Sequence, residues 1–189
     1  MGALRTSAFW GSALVVGLSA PLGLAWYSYR YLPPTTVKSG PWNADPSMGT
    51  GSANIFVKAR TALTILVAVR QREFVYYFTS EDSAGRPLEA RCRYRLIGEA
   101  PQAAWWSVVL YNRGGFLDPN PARRFSVNAS DMATPGVNVS VAAQGTGPNW
   151  LPSPRRGTFN LVMRLYTPSP TIISDLRRAT LPAIEREGC

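Results

Sequence analysis

Glu81 and Asp82 stand side by side at a turn, and Asp118 follows in the segment FLDPNP. Carboxylates can do chemistry in pairs. Two acids held roughly 5 to 9 Å apart can act on a glycosidic bond, one as acid and one as base or nucleophile. Adjacent acids at a turn more often cap local backbone in solvent. The chain has no histidine. This removes Ser-His-Asp and Cys-His catalysis in their usual forms, because the general base is missing. It also removes zinc sites built on imidazole. Cys92 and Cys189 are the two cysteines, too few for a thiolate cluster within one copy. No catalytic or metal-ligating set is complete, so no metal and no cofactor are expected. The residues point to binding rather than reaction, with a carboxylate enzyme acting on an envelope carbohydrate or small metabolite as the alternative.

Arginine supplies the second kind of chemistry. In LEARCRYRLI the residues alternate, placing Arg91, Arg93 and Arg95 on one strand face and Cys92, Tyr94 and Leu96 on the other. Three guanidinium groups in a row could bind phosphates or carboxylates. They could equally form a solvated sheet face paired with Glu73, Glu81 or Glu89. The formal net charge of +9 favours anionic partners such as acidic lipid or glycan, or an envelope protein. Nucleic acid is not expected, because no fingerprint of a nucleic-acid module is present.

The third candidate is NWLPSP, Asn149 to Pro154. Pro152 and Pro154 fix φ and cannot donate to a ladder, so they bar the segment from a central strand and make it a rigid loop. Trp150 is then either a plug closing one end of the fold or the wall of a pocket. The pocket reading gathers Trp106, Tyr111, Asn112, Asn149, Trp150 and Arg164 around one mouth.

The elements that must position these residues are mostly strands. Ser52 to Val69 carries apolar residues at helical spacing and predicts one early helix, with Ser52 as N-cap. After it the period changes to two. EFVYYFTS, LEARCRYRLI, WWSVVLYN, RFSVN, VNVSVAA and TFNLVMRLY read as strands separated by turns, among them EDSAGRP. Many short strands after one helix predict an antiparallel jelly-roll-like β-sandwich. At 189 residues the chain has room for one sizeable core. Cys92 and Cys189 could be bridged, tying the tail to the core, or Cys92 could be a buried free thiol.

Between Arg5 and Arg30 no residue is charged, and Trp10, Trp26, Tyr27, Tyr29 and Tyr31 flank the stretch. Its length suits a bilayer core of about 30 Å, and its ends suit an aromatic belt. The expectation is an uncleaved N-terminal transmembrane anchor over 1–31, with a cleaved signal peptide as the rival. A linker over 32–51, rich in Gly and Pro, would lead to a β-sandwich domain over 52–189. With the amino end inside, the protein would sit as a single-pass protein in a bacterial inner membrane with a periplasmic C-terminal domain.

Four stretches then carry a family resemblance: SANIFVKARTA, YYFTSEDSAGRPLEARCRYRL, WWSVVLYNRGGFLDPNPARRFSV and PNWLPSPRRGTFNLVMRLYTPSP. In order and spacing they resemble the bacterial family catalogued as domain of unknown function 1214, from about Ser52 to Pro170. Trp105 stands where phenylalanine is more usual, and Lys58 where arginine is. The companion domain of longer members has no counterpart here, and a membrane segment is expected in its place. The resemblance implies a jelly-roll sandwich and an unassigned role. It carries over no catalytic residues.

Overall fold

The structure is a computed structural model. It describes residues 36–51, 53, 58 and 70–189, together with residues 17, 19, 20, 22, 23, 26 and 27. The chain divides into two units, Met1–Pro34 with Gly51–Ala68, and Thr35–Thr50 with Val69–Cys189. In the first unit Gly17, Ser19, Ala20, Leu22, Gly23, Trp26, Tyr27 and Lys58 are helical. No helix among the described residues is long and apolar enough to cross a membrane. Most of the predicted anchor and of the predicted early helix lies outside the described residues.

The second unit is mainly β. Its strands are β1 (Val37–Ser39), β2 (Trp42–Ala44), β3 (Phe74–Thr79), β4 (Arg93–Gly98), β5 (Ala103–Asn112), β6 (Ser126–Asn128), β7 (Val137–Ala142), β8 (Trp150–Pro152), β9 (Phe159–Pro168) and β10 (Ala183–Gly188). They form a six-stranded sheet, β1-β2-β3-β9-β5-β6, and a four-stranded sheet, β10-β4-β7-β8. One short helix, α1 (Pro170–Ser174), begins at Ser169, whose hydroxyl accepts from the Ile172 amide.

The core follows from period-two alternation on both sheets. Val75, Tyr77, Trp106, Val108, Leu110, Phe159, Leu161, Met163 and Leu165 come from the larger sheet, and Tyr94, Leu96, Val139, Val141 and Ile184 from the smaller. The burial of these side chains supplies the main drive for folding. Tyr77 is fully buried, and its hydroxyl donates to the Leu176 carbonyl at 2.8 Å, tying the turn after α1 to β3. Burial pushes the Tyr77 pKa up, and the charge of Asp175 adds to that.

Three expectations need correction. The predicted linker is in part structure: residues 36–50 contain β1 and β2, the outer hairpin of the large sheet. Trp42 is 0% exposed and its indole N–H donates to the Pro182 carbonyl at 2.8 Å. A tryptophan with a partner for its one polar atom is a core residue, whatever the Gly and Pro content around it. The sheets are also not wholly antiparallel, because β8 runs parallel to β7. Finally, β4 starts at Arg93 rather than Leu88, since 88–92 form a bridge and turn. Burial alternates across that boundary all the same: Leu88, Ala90, Cys92, Tyr94 and Leu96 are all buried.

Candidate functional site

NWLPSP forms the edge strand β8 and the start of the loop after it. Pro152 lies at the end of an edge strand, where a missing N–H costs no ladder bond. Trp150 is half-buried, and its indole N–H donates to the Ala142 carbonyl at 3.0 Å. The indole rests on Gly145. A Cβ at position 145 would stand 2.4 Å from Trp150 Cδ1, so only glycine admits the ring. Asn149 donates from its side chain to the Asn138 carbonyl at 2.9 Å and holds the entry to the strand.

Beside Trp150 is a pocket of about 550 Å³. Its walls come from β8 and its following prolines, from 143–145, and from the loop between β5 and β6, which contributes Asp118, Pro119, Pro121, Arg124 and Phe125. Two asparagines shape that loop. Asn112 Oδ1 accepts from the Gly114 and Phe116 amides, and its Nδ2 donates to Asp118 Oδ1 at 2.6 Å. Asn120 closes the far end, accepting from the Arg124 amide and donating to the Arg124 carbonyl. Arg124 then reaches across, donating to the Gly147 carbonyl at 2.7 Å and the Trp150 carbonyl at 3.2 Å. Arg155 also lines the pocket. It is exposed and has no acidic partner among the described residues. The result is an apolar recess of aromatic and proline walls with a cationic edge, the general form of a small-molecule site.

The six residues expected around one mouth are therefore divided. Trp150 walls the pocket, Asn149 fixes its strand, and Asn112 positions Asp118 in its wall. Trp106 points inward and is 3% exposed within the core. Tyr111 and Arg164 lie on the outward face of the large sheet, joined by a hydrogen bond from Arg164 Nη2 to the Tyr111 hydroxyl. Arg155 follows NWLPSP directly in the chain, whereas Arg124 and Gly145 approach Trp150 only through loop folding.

The arginine row is largely occupied. Arg91 Nε donates to Glu89 at 2.7 Å, and Arg95 donates to Glu187 at 2.6 Å and to Asn138 at 3.1 Å. Arg93 is exposed. These are surface pairs of small energetic weight. They fit a solvated sheet face better than a phosphate ladder.

The carboxylates do not form a catalytic pair. Asp82 is buried and forms ion pairs with Arg86 at 2.9 Å and Arg186 at 3.2 Å. Burial pushes its pKa up. The Arg86 amide and guanidinium and the Ala84 amide outweigh that and hold it below the ordinary value. Such a group stays ionised, the opposite of a general acid. Glu81 is exposed, and Asp118 is held by Asn112. Among the described residues no cluster of three or more potential metal ligands occurs.

The fold is mainly β, with two sheets and a pocket at one sheet edge. The family profile described as "Protein of unknown function (DUF1214)" matches residues 73–170, and the chain belongs to that family. No curated protein matches. Among solved structures, the VPA0106 protein from Vibrio parahaemolyticus is 24% identical with a TM-score of 0.60, covering 72% of this chain and 36% of its own. That likeness shows a shared fold. A putative uncharacterized protein from Burkholderia cenocepacia matches at 19% identity and a TM-score of 0.37, covering 60% of this chain and 29% of its own. The chain thus spans about a third of the length of these structures.

Proposed function

We propose that this protein is a membrane-anchored cell-envelope binding protein, and that its pocket beside Trp150 takes an amphiphile with an apolar body and an anionic end. The observation that carries this reading is the pocket itself, with apolar walls and, at its edge, Arg155, which has no acidic partner among the described residues. The indole face offers a flat apolar contact, while its N–H is already engaged with Ala142. Arg155 supplies charge to an anionic end without first breaking an ion pair. The anchor rests on the uncharged stretch between Arg5 and Arg30 and its aromatic flanks. A periplasmic location agrees with the disulfide between Cys92 and Cys189, a bond that persists in oxidising compartments.

The test is native mass spectrometry of the full chain released from mild detergent, beside Trp150→Ala. The expected result is a bound small molecule on the wild type whose occupancy falls about tenfold or more in the variant. An empty wild-type protein, or a ligand held equally by both, would contradict the reading.

A further inference from the structure

Away from the Trp150 pocket, the outward face of the six-stranded sheet is unusually aromatic. Cross-strand pairing sets its rows. Phe74 pairs with Tyr166 and Tyr166 with Trp105; Tyr76 pairs with Arg164 and Arg164 with Ser107; Phe78 pairs with Val162 and Val162 with Val109. Along β3, the rings of Phe74, Tyr76 and Phe78 follow one another at 6.4 and 6.3 Å, inclined by 16° and 20°. They form a stripe of near-parallel rings, each only partly buried. An alternating strand with three large rings on its outward side needs an explanation beyond its own packing.

Arg164 gives that stripe a direction. Its guanidinium carbon lies 6.0 Å from the centre of the Tyr76 ring. Its Nη2 donates to the Tyr111 hydroxyl, crossing the row of Val162 and Val109, and both valines are only 6% exposed. Its Nε is buried and has no hydrogen-bond partner. No carboxylate among the described residues pairs with Arg164. A desolvated N–H on a cation with nothing to bond is costly, and native proteins rarely leave one so.

We infer that this face carries a second binding site, for a carboxylate attached to a flat apolar body, held by Arg164 Nε and the Tyr111 hydroxyl beside the stripe of Phe74, Tyr76 and Phe78. The chemistry selects the ligand. Nε and Nη2 share one edge of the guanidinium, the edge that meets a carboxylate with two parallel bonds. Nη2 keeps a second hydrogen after serving Tyr111. The Tyr111 oxygen accepts from Nη2, so its own hydrogen remains to be donated. One cation with one hydroxyl suits a monoanion. A phosphate dianion would leave a charge uncompensated, since among the described residues Arg164 is the cation that acts on Tyr76 here. Burial holds the Tyr76 hydroxyl in its protonated form and raises its pKa, with Arg164 opposing. The ring therefore stays neutral beside an incoming anion.

Calorimetric titration of the full chain with 4-phenylbutyrate, and with 4-phenylbutyramide as the uncharged match, tests the site. The acid binds and the amide binds about tenfold more weakly or not at all, as expected for a charge-assisted contact. Arg164→Gln lowers the acid's affinity about tenfold or more, and Tyr111→Phe, which keeps the ring and the arginine, lowers it about threefold. Both the acid's binding and its loss in Arg164→Gln persist in a Trp150→Ala background, which removes the pocket from the readout. Equal binding of acid and amide, binding of neither, or an unchanged acid affinity on adding Arg164→Gln to the Trp150→Ala background would each overturn the inference.

Discussion

Asp82 shows how one side chain can serve the fold while looking catalytic. Its Oδ1 accepts from the Ala84 and Arg86 amides and its Oδ2 from Arg86 Nε, all within 3.0 Å, so both oxygens are spent on the turn at 81–87. Arg186, with a side chain 12% exposed, packs against it from β10 and lies 5.4 Å from the Tyr94 ring centre. Because the folded-state pKa of Asp82 is depressed, the stability it gives is present above the unfolded value of about 3.9 and is lost as pH falls through the folded value. Acid unfolding of the wild type should therefore deepen below about pH 4, and Asp82→Asn should flatten that limb while costing on the order of 3 kcal/mol at neutral pH. Chemical denaturation across pH checks both, and parallel acid limbs would refute the assignment. Gly145 makes the matching point for sterics. Gly145→Ala places a methyl inside van der Waals range of the indole and should cost about 1 to 3 kcal/mol, read as a lower midpoint and an altered Trp150 environment.

At the scale of elements, the period-two pattern was a reliable guide. It placed β3, β5, β7 and β9 and the buried set Cys92, Tyr94 and Leu96, because alternation reports which face is buried. It could not place β1 and β2. Three-residue strands are too short to show a period, and one buried tryptophan leaves no repeat. The candidate site was legible only in part for a similar reason. Trp150 stood out through its prolines, but Arg124 meets it through loop geometry that no spacing records. Arg164 is legible as a strand residue, but β9 residues alternate and Arg164 faces away from the core, so it does not meet Trp150. The tail shows the same limit. Cys189 follows β10 and bridges to Cys92 across 97 residues, a pairing two cysteines alone could not establish. In chain-entropy terms a loop that long is worth about 4 to 5 kcal/mol. Replacing both cysteines with serine should lower the unfolding free energy by about 2 to 5 kcal/mol. An unchanged denaturation midpoint would show that the tail is held by β10–β4 pairing and the Arg186 contacts alone.

On the scale of the whole molecule, the two proposed binding regions use opposite logics. The pocket lies at the edge of the small sheet and is built by loops, so its shape depends on Gly145, Asn112 and Asn120. The second lies on a flat strand face of the large sheet, where register fixes every side chain. Sites on strands are positioned more firmly than sites on loops. The pocket should accordingly tolerate a wider range of apolar bodies than the Arg164 face. The remaining basic surface is mostly solvated or paired, as in the arginine row, and its charge serves solubility and steering more than recognition.

The most direct test of the pocket claim is fluorine NMR of the full chain labelled with 5-fluorotryptophan, which reports six tryptophans in one spectrum. The Trp150 resonance is assigned from Trp150→Phe, and dodecyl phosphate is added below its micelle concentration. A saturable shift of Trp150 is expected, with Trp42 and Trp106 in the core and Trp105 on the sheet face unmoved. A stationary Trp150 resonance, or a shift confined to Trp105, would contradict it.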